Sequence, residues 1–194
     1  MRSIKAKDLG EGWSYELAYN GNKVEIRYFE GLPEIYCDKK EVTDKYPELE
    51  RELSRIAKYS KLDNQKYTAL LTCCTNSQQS RRPKEGEEDK TKIIITGTVK
   101  RQPYLAMRAE IERIFMRKGS KRVTTVWRYR GFEEAWNRTT KFGLHTLIAI
   151  PNNARGKAGA LHMHNGGEHH QMKKGMIDKY KKPRVIKCRG NNKT

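Results

Sequence analysis

The sequence predicts an α+β fold: a small N-terminal β-meander followed by helices, then a basic C-terminal lobe in which helices cover a mixed sheet. Three observations predict it. Short runs of apolar/polar alternation occur before residue 40 and again after residue 91. Segments with apolar residues at three- and four-residue spacing lie between those runs, as amphipathic helices require. Hydrophobic residues are 36% of the chain and charged ones 33%, yet the aromatic and branched residues fall in periodic blocks, so the composition is that of a folded protein.

The elements follow in order. Trp13 to Tyr19 alternates, Asn20-Gly21 is the dipeptide of a type I′ hairpin turn, and Lys23 to Phe29 alternates again. Gly31-Leu32-Pro33 turns the chain into a third short strand over Glu34 to Cys37. Thr43 or Asp44 can cap a helix with Pro47 in its first turn and Leu49, Leu53 and Ile56 as its apolar stripe. A second helix is predicted from Gln65 to Cys74, with Tyr67, Leu70, Leu71 and Cys74 on one side. Residues 75–91 carry no apolar side chain and read as a loop or linker. Beyond it come a β-branched strand over Lys92 to Val99 and a helix over Tyr104 to Lys118. Next are a strand over Arg122 to Arg130 and a helix over Phe132 to Lys141 that Gly143 ends. Strands over Leu144 to Ile150 and Gly159 to His164, a helix over Glu168 to Lys182 and a strand over Arg184 to Cys188 complete the pattern.

Charge divides the chain. The formal net charge is +18, and the first 91 residues contribute none of it, with 17 basic and 17 acidic side chains. After residue 91 there are 24 basic residues and 6 acidic ones. A neutral lobe over 1–75, a polar linker over 76–91 and a basic lobe over 92–194 follow from that division. Surplus cationic charge repels itself in a compact lobe, and a polyanion relieves the repulsion while releasing counterions. The expectation is therefore a nucleic-acid-binding accessory protein that grips the phosphate backbone with its C-terminal half. The neutral half would pack against it or against a protein partner. A ribonucleoprotein structural component has the same composition. A membrane surface fits less well, because no basic helix has a broad Trp/Phe/Leu face.

The residues expected to meet phosphates are Arg101, Arg117, Lys118, Lys121, Arg122, Arg128 and Arg130, together with Lys173, Lys174, Lys181, Lys182 and Arg184. Lysines act as point charges on phosphates, so non-specific or shape-dependent binding is expected. Lys181-Lys182-Pro183-Arg184 also has the composition of a nuclear import signal. As one strand, residues 123–130 would put Val123, Thr125, Trp127 and Tyr129 on one face and Thr124, Val126, Arg128 and Arg130 on the other. Either the aromatic face is core, or Trp127 and Tyr129 stack on bases with arginines at the rim.

Four of the five histidines fall between His162 and His170. On a strand, His162 and His164 point the same way, as two metal ligands must, and Glu168 could supply a third. A divalent ion held in this way (Mg, Mn or Zn) would keep open positions for water or substrate. His-x-His followed by a helical tyrosine resembles the HUH endonucleases. That resemblance implies a nickase in which His162 and His164 hold the metal and Tyr180 attacks the phosphate. The spacing of Gly156, His162, His164, Glu168 and Gly175 also matches the first cupin motif, but His169 to Lys174 replaces the apolar strand that motif needs. The competing functional class is thus a metal-dependent nuclease. Otherwise these are surface histidines that add positive charge as pH falls.

The cysteines, Cys37, Cys73, Cys74 and Cys188, form no C-x-x-C pair. They read as reduced thiols in an intracellular protein of the cytoplasm or nucleus. No run of about 18 apolar residues exists, and the charged N-terminus has no apolar stretch behind it, so neither a membrane span nor a secretory signal is expected.

Overall fold

The computed structural model describes residues 2–73, 80–116, 120–141 and 146–164. They form an α+β fold with two mixed sheets and three α-helices. In chain order these are β1 (Arg2–Lys5), β2 (Trp13–Leu17), β3 (Asn22–Phe29), β4 (Leu32–Cys37), β5 (Lys40–Glu41), α1 (Pro47–Ser60) and β6 (Lys66–Thr72). Then follow β7 (Lys92–Thr98), α2 (Tyr104–Phe115), β8 (Val123–Thr125), β9 (Arg128–Tyr129), α3 (Phe132–Lys141), β10 (Thr146–Pro151) and β11 (Leu161–His164). One sheet has the order β5-β4-β3-β6-β7-β8, the other β1-β11-β10-β2-β9. Pairing is antiparallel except for β7 with β8 and β1 with β11.

The larger core lies on the six-stranded sheet. Val24, Ile26, Tyr28, Tyr67, Ala69, Leu71, Ile93 and Ile95 pack there with Leu49, Leu53 and Ile56 of α1 and Met107, Ile111 and Phe115 of α2. Helix α1 starts with Pro47 in its first turn and ends where Lys61 turns left-handed at φ 50°. The smaller core joins Tyr15, Leu17, Leu147, Ala149, Met163 and Tyr129 to Ala135 of α3. Phe132 stacks on Trp136 and meets the Tyr15 ring edge-on.

Three predicted elements differ. The helix predicted over Gln65–Cys74 is strand β6, between β3 and β7. Its Tyr67, Ala69 and Leu71 are buried while Lys66 and Thr68 are exposed. Tyr67 and Leu71 satisfy both a four-residue and a two-residue repeat, and pairing on both edges decides for the strand. The Asn20-Gly21 hairpin does not form, because β2 and β3 lie in different sheets. Gly21 instead allows a close approach: a Cβ there would sit 2.6 Å from the Leu71 carbonyl oxygen. Finally, the strand predicted over Arg122–Arg130 breaks after Thr125. Strand β8 closes one edge of the six-stranded sheet and β9 closes one edge of the other.

The polar stretch 75–91 connects β6 to β7, which are neighbours in one sheet, and strands from before and after it build both sheets. The helix and strand predicted over 168–188, and the Gly143 cap, lie outside the described residues.

Candidate functional site

Strand register places a mostly polar row of side chains on the face of the five-stranded sheet opposite α3. Arg128, Glu16, Ile148, His162 and Ser3 are neighbours across β9, β2, β10, β11 and β1. Thr146, His164 and Lys5 form the next row. Side chains alternate along each strand, so Tyr15, Leu17, Leu147, Ala149 and Met163 take the opposite, apolar face.

Helix α2 supplies the partners of this face. Glu16 is fully buried, accepts a hydrogen bond from the Tyr104 hydroxyl at 3.0 Å and lies 3.6 Å from Arg108 Nε. Lys157, between β10 and β11, reaches its other oxygen at 2.5 Å. Arg108, also fully buried, donates through Nη2 to the Val126 carbonyl at 2.7 Å and to Glu112 at 3.2 Å. Glu112 in turn pairs with Arg128 at 3.3 Å. Burial raises the Tyr104 pKa and the Glu16 charge raises it further, so the phenol stays protonated and donating. Buried pairs of this kind tie elements together, and removing one partner typically costs about 3–5 kcal/mol.

The sequence pattern does not single out Glu16, Tyr104, Arg108 or Lys157. A signal for Arg108 was present: it stands four residues after Tyr104 and three before Ile111, on the apolar stripe of α2. Glu16 gave less warning, because Ser14 and Glu16 occupy what pattern alone marks as the solvent face of β2.

The residues expected at phosphates take different positions. Arg101, Lys121 and Arg130 are exposed. Arg122 is half-buried, its side chain donating to the Asp89 carbonyl and its amide facing the Glu52 carboxylate at 3.2 Å. Arg128 is half-buried against Glu112. Trp127 and Tyr129 do not share an open face: Tyr129 belongs to the smaller core, while Trp127 is 51% exposed. Arg117, Lys118, Lys173, Lys174, Lys181, Lys182 and Arg184 lie outside the described residues.

His162 and His164 stand on the same face of β11, both half-buried. Burial, and then the neighbouring His164, holds the His162 pKa below its ordinary value. Among the described residues no third His, Cys, Asp or Glu joins them as a metal-ligand group. Glu168 and Tyr180 lie outside those residues.

Two of the four described acidic side chains after residue 91 are engaged. Glu110 accepts from Gln102 at 2.8 Å, and Glu112 holds the two arginines. Glu133 and Glu134 are exposed, as are Lys100, Arg101, Arg113, Lys121, Arg130 and Arg155. No helix among the described residues is long and apolar enough to cross a membrane.

This arrangement of two mixed sheets and three helices resembles a ligase domain. No protein-family profile and no curated protein sequence matches the chain. Among solved structures, it is similar to mycobacterial DNA ligase D complexed with ATP and MES, with 13% identity and a TM-score of 0.56 over 84% of this chain and 60% of that one. It is also similar to the ligase domain of LigD from M. tuberculosis, with 13% identity and a TM-score of 0.54 over 83% of this chain and 58% of that one. A third similar structure, Pmar-Lig_Pre, gives 11% identity and a TM-score of 0.57 over 80% of this chain and 43% of that one. The chain thus spans three fifths or less of the length of these proteins. At such identities the likeness is one of fold.

Proposed function

We propose that the chain is a nucleic-acid-binding accessory protein with a ligase-like fold, gripping the phosphate backbone through the basic side chains that follow residue 91. One observation carries the reading. Among the described residues after residue 91, most of the basic side chains stand exposed, while two of the four acidic ones are tied up by Gln102, Arg108 and Arg128. Exposed cations that outnumber the exposed carboxylates around them suit an external polyanion. The fold shared with DNA ligase structures supports nucleic acid as that polyanion.

The test is a binding titration of the full chain with fluorescein-labelled DNA and RNA, followed by fluorescence anisotropy as KCl is raised. A protein making about 6–10 phosphate contacts loses about 10³–10⁵ in affinity between about 50 and 200 mM salt. A steep loss in that range is the expected result. Affinity indifferent to salt, or no binding at the lowest salt, would overturn the reading.

A further inference from the structure

Trp127 occupies an unusual mount. It sits in the two-residue break between β8 and β9, where the chain passes from one sheet to the other. Its carbonyl accepts a hydrogen bond from the Leu17 amide at 3.2 Å. On one side the Val126 amide donates to the Ile95 carbonyl at 3.3 Å, and the Val126 carbonyl accepts from buried Arg108 at 2.7 Å. On the other, Arg128 is held by Glu112, and Tyr129 pairs with Tyr15 and enters the smaller core. The backbone is therefore fixed on both sides of an indole that is 51% exposed. A large apolar side chain exposed on a fixed backbone loses less entropy on meeting a flat partner than one on a mobile loop.

Its surroundings in sequence select the partner. Phe29 and Tyr59 are also exposed, but both belong to the first 91 residues, where basic and acidic side chains balance. Trp127 stands within the cationic part, with Arg128 next to it and exposed Arg130 three residues on. The other two tryptophans, Trp13 and Trp136, are half-buried against the smaller core. An exposed indole in a cationic stretch of chain matches the chemistry of unpaired bases on a phosphate backbone: the ring stacks and exposed cations such as Arg130 neutralise. A duplex hides its base faces and offers nothing for the ring to stack on.

We infer that Trp127 is a base-stacking platform, and that the nucleic acid this chain prefers has unpaired bases, as in a single strand or a single-stranded gap. The inference rests on the nucleic-acid reading above and deepens it.

The experiment compares the wild-type full chain with Trp127→Ala and Trp127→Phe. The probes are labelled oligo(dT) and a labelled duplex with the same number of phosphates. Trp127→Ala should weaken oligo(dT) binding by about 5- to 150-fold, the range for losing one stacked base, and leave duplex binding unchanged. Trp127→Phe should restore most of the loss. Oligo(dT) should quench the wild-type indole emission, and the quench should shrink in Trp127→Phe, which keeps Trp13 and Trp136. If Trp127→Ala binds oligo(dT) as the wild type does, with the salt dependence intact, the platform is overturned and the nucleic-acid reading stands; the indole then serves a protein contact. An equal loss on both probes overturns it too, since a stacking group discriminates between them. If neither probe binds at low salt, the underlying reading has failed, and this inference with it.

Discussion

His162 lies on the polar face of the five-stranded sheet with Ile148 and Ser3 as its cross-strand neighbours and His164 two residues along. Burial is the larger cause of its lowered pKa and the His164 charge the smaller. The consequence for stability has a definite sign. Above the ordinary histidine value of about 6.5 the imidazole is neutral in both folded and unfolded chains and contributes nothing to the pH dependence. As pH falls below that value the unfolded chain takes up a proton that the folded chain resists, so stability declines until the folded-state pKa is also passed. Urea denaturation at pH 7.5 and pH 5.5 should therefore show a lower midpoint at the acid pH. His162→Gln, which keeps polarity and cannot take up the proton, should lessen that difference. A difference unchanged in the variant would mean that His162 carries no charge-burial cost. The same face explains why site residues were hard to read one at a time. Arg108 is legible as a cation on an apolar helix stripe. Its partner Glu16 is not, because a strand with polar residues at alternate positions looks the same whether that face meets water or a buried guanidinium.

Among the elements, α1, α2 and α3 were legible, while the helix predicted over Gln65–Cys74 is strand β6. The stripes of α1 and α2 and the apolar face of α3 are set by local spacing, and Pro47 marks the start of α1. Strand partners were not legible, because pairing joins residues far apart: β2 pairs with β10, and Glu16 meets Lys157 across the chain. The Asn20-Gly21 connection shows the physical reason. A dipeptide that favours a tight hairpin is overruled when the strands on either side have better partners elsewhere. Gly21 then serves the crossing in another way, by letting the chain lie against β6. Gly21→Ala places a methyl group 2.6 Å from the Leu71 carbonyl oxygen and 3.0 Å from the Leu70 Cβ, so backbone must shift. The expected cost is about 1–3 kcal/mol, typical of overpacking. It is read as a lower urea midpoint with an unchanged slope, since the unfolded surface is the same. A hairpin-turn role would give a different result: Gly21→Asn, tolerated in such turns, would then be nearly neutral. At a close approach it costs at least as much as alanine.

At the scale of the whole molecule, the division of charge was legible from composition and the α+β class from the periodic pattern, while the pairing of strands into two sheets was not. Both sheets draw strands from either side of residue 91, so the neutral part and the basic stretch up to His164 belong to one folded unit. This makes the phosphate-binding proposal testable without cutting the chain. Lys100, Arg101 and Arg130 are exposed after residue 91, and Lys39, Lys40 and Lys45 are exposed before it. Replacing either set with glutamine removes the same formal charge from the same protein. If the cationic surplus is what meets phosphates, the first triple variant should bind labelled DNA more weakly and show a shallower dependence of log affinity on log salt. The slope falls by about 0.9 for each phosphate the protein no longer neutralises on a duplex and by about 0.7 on a single strand. The second triple variant should keep the wild-type slope, because its lysines sit in a region where carboxylates already balance them. Equal losses in both variants would mean that net charge alone, irrespective of position, drives the association. Arg128 is left out of the set on purpose: it is held by Glu112 in the network that also contains Arg108, so its replacement would disturb packing as well as binding. Circular dichroism melts of both triple variants should match the wild type, since none of the six side chains is buried.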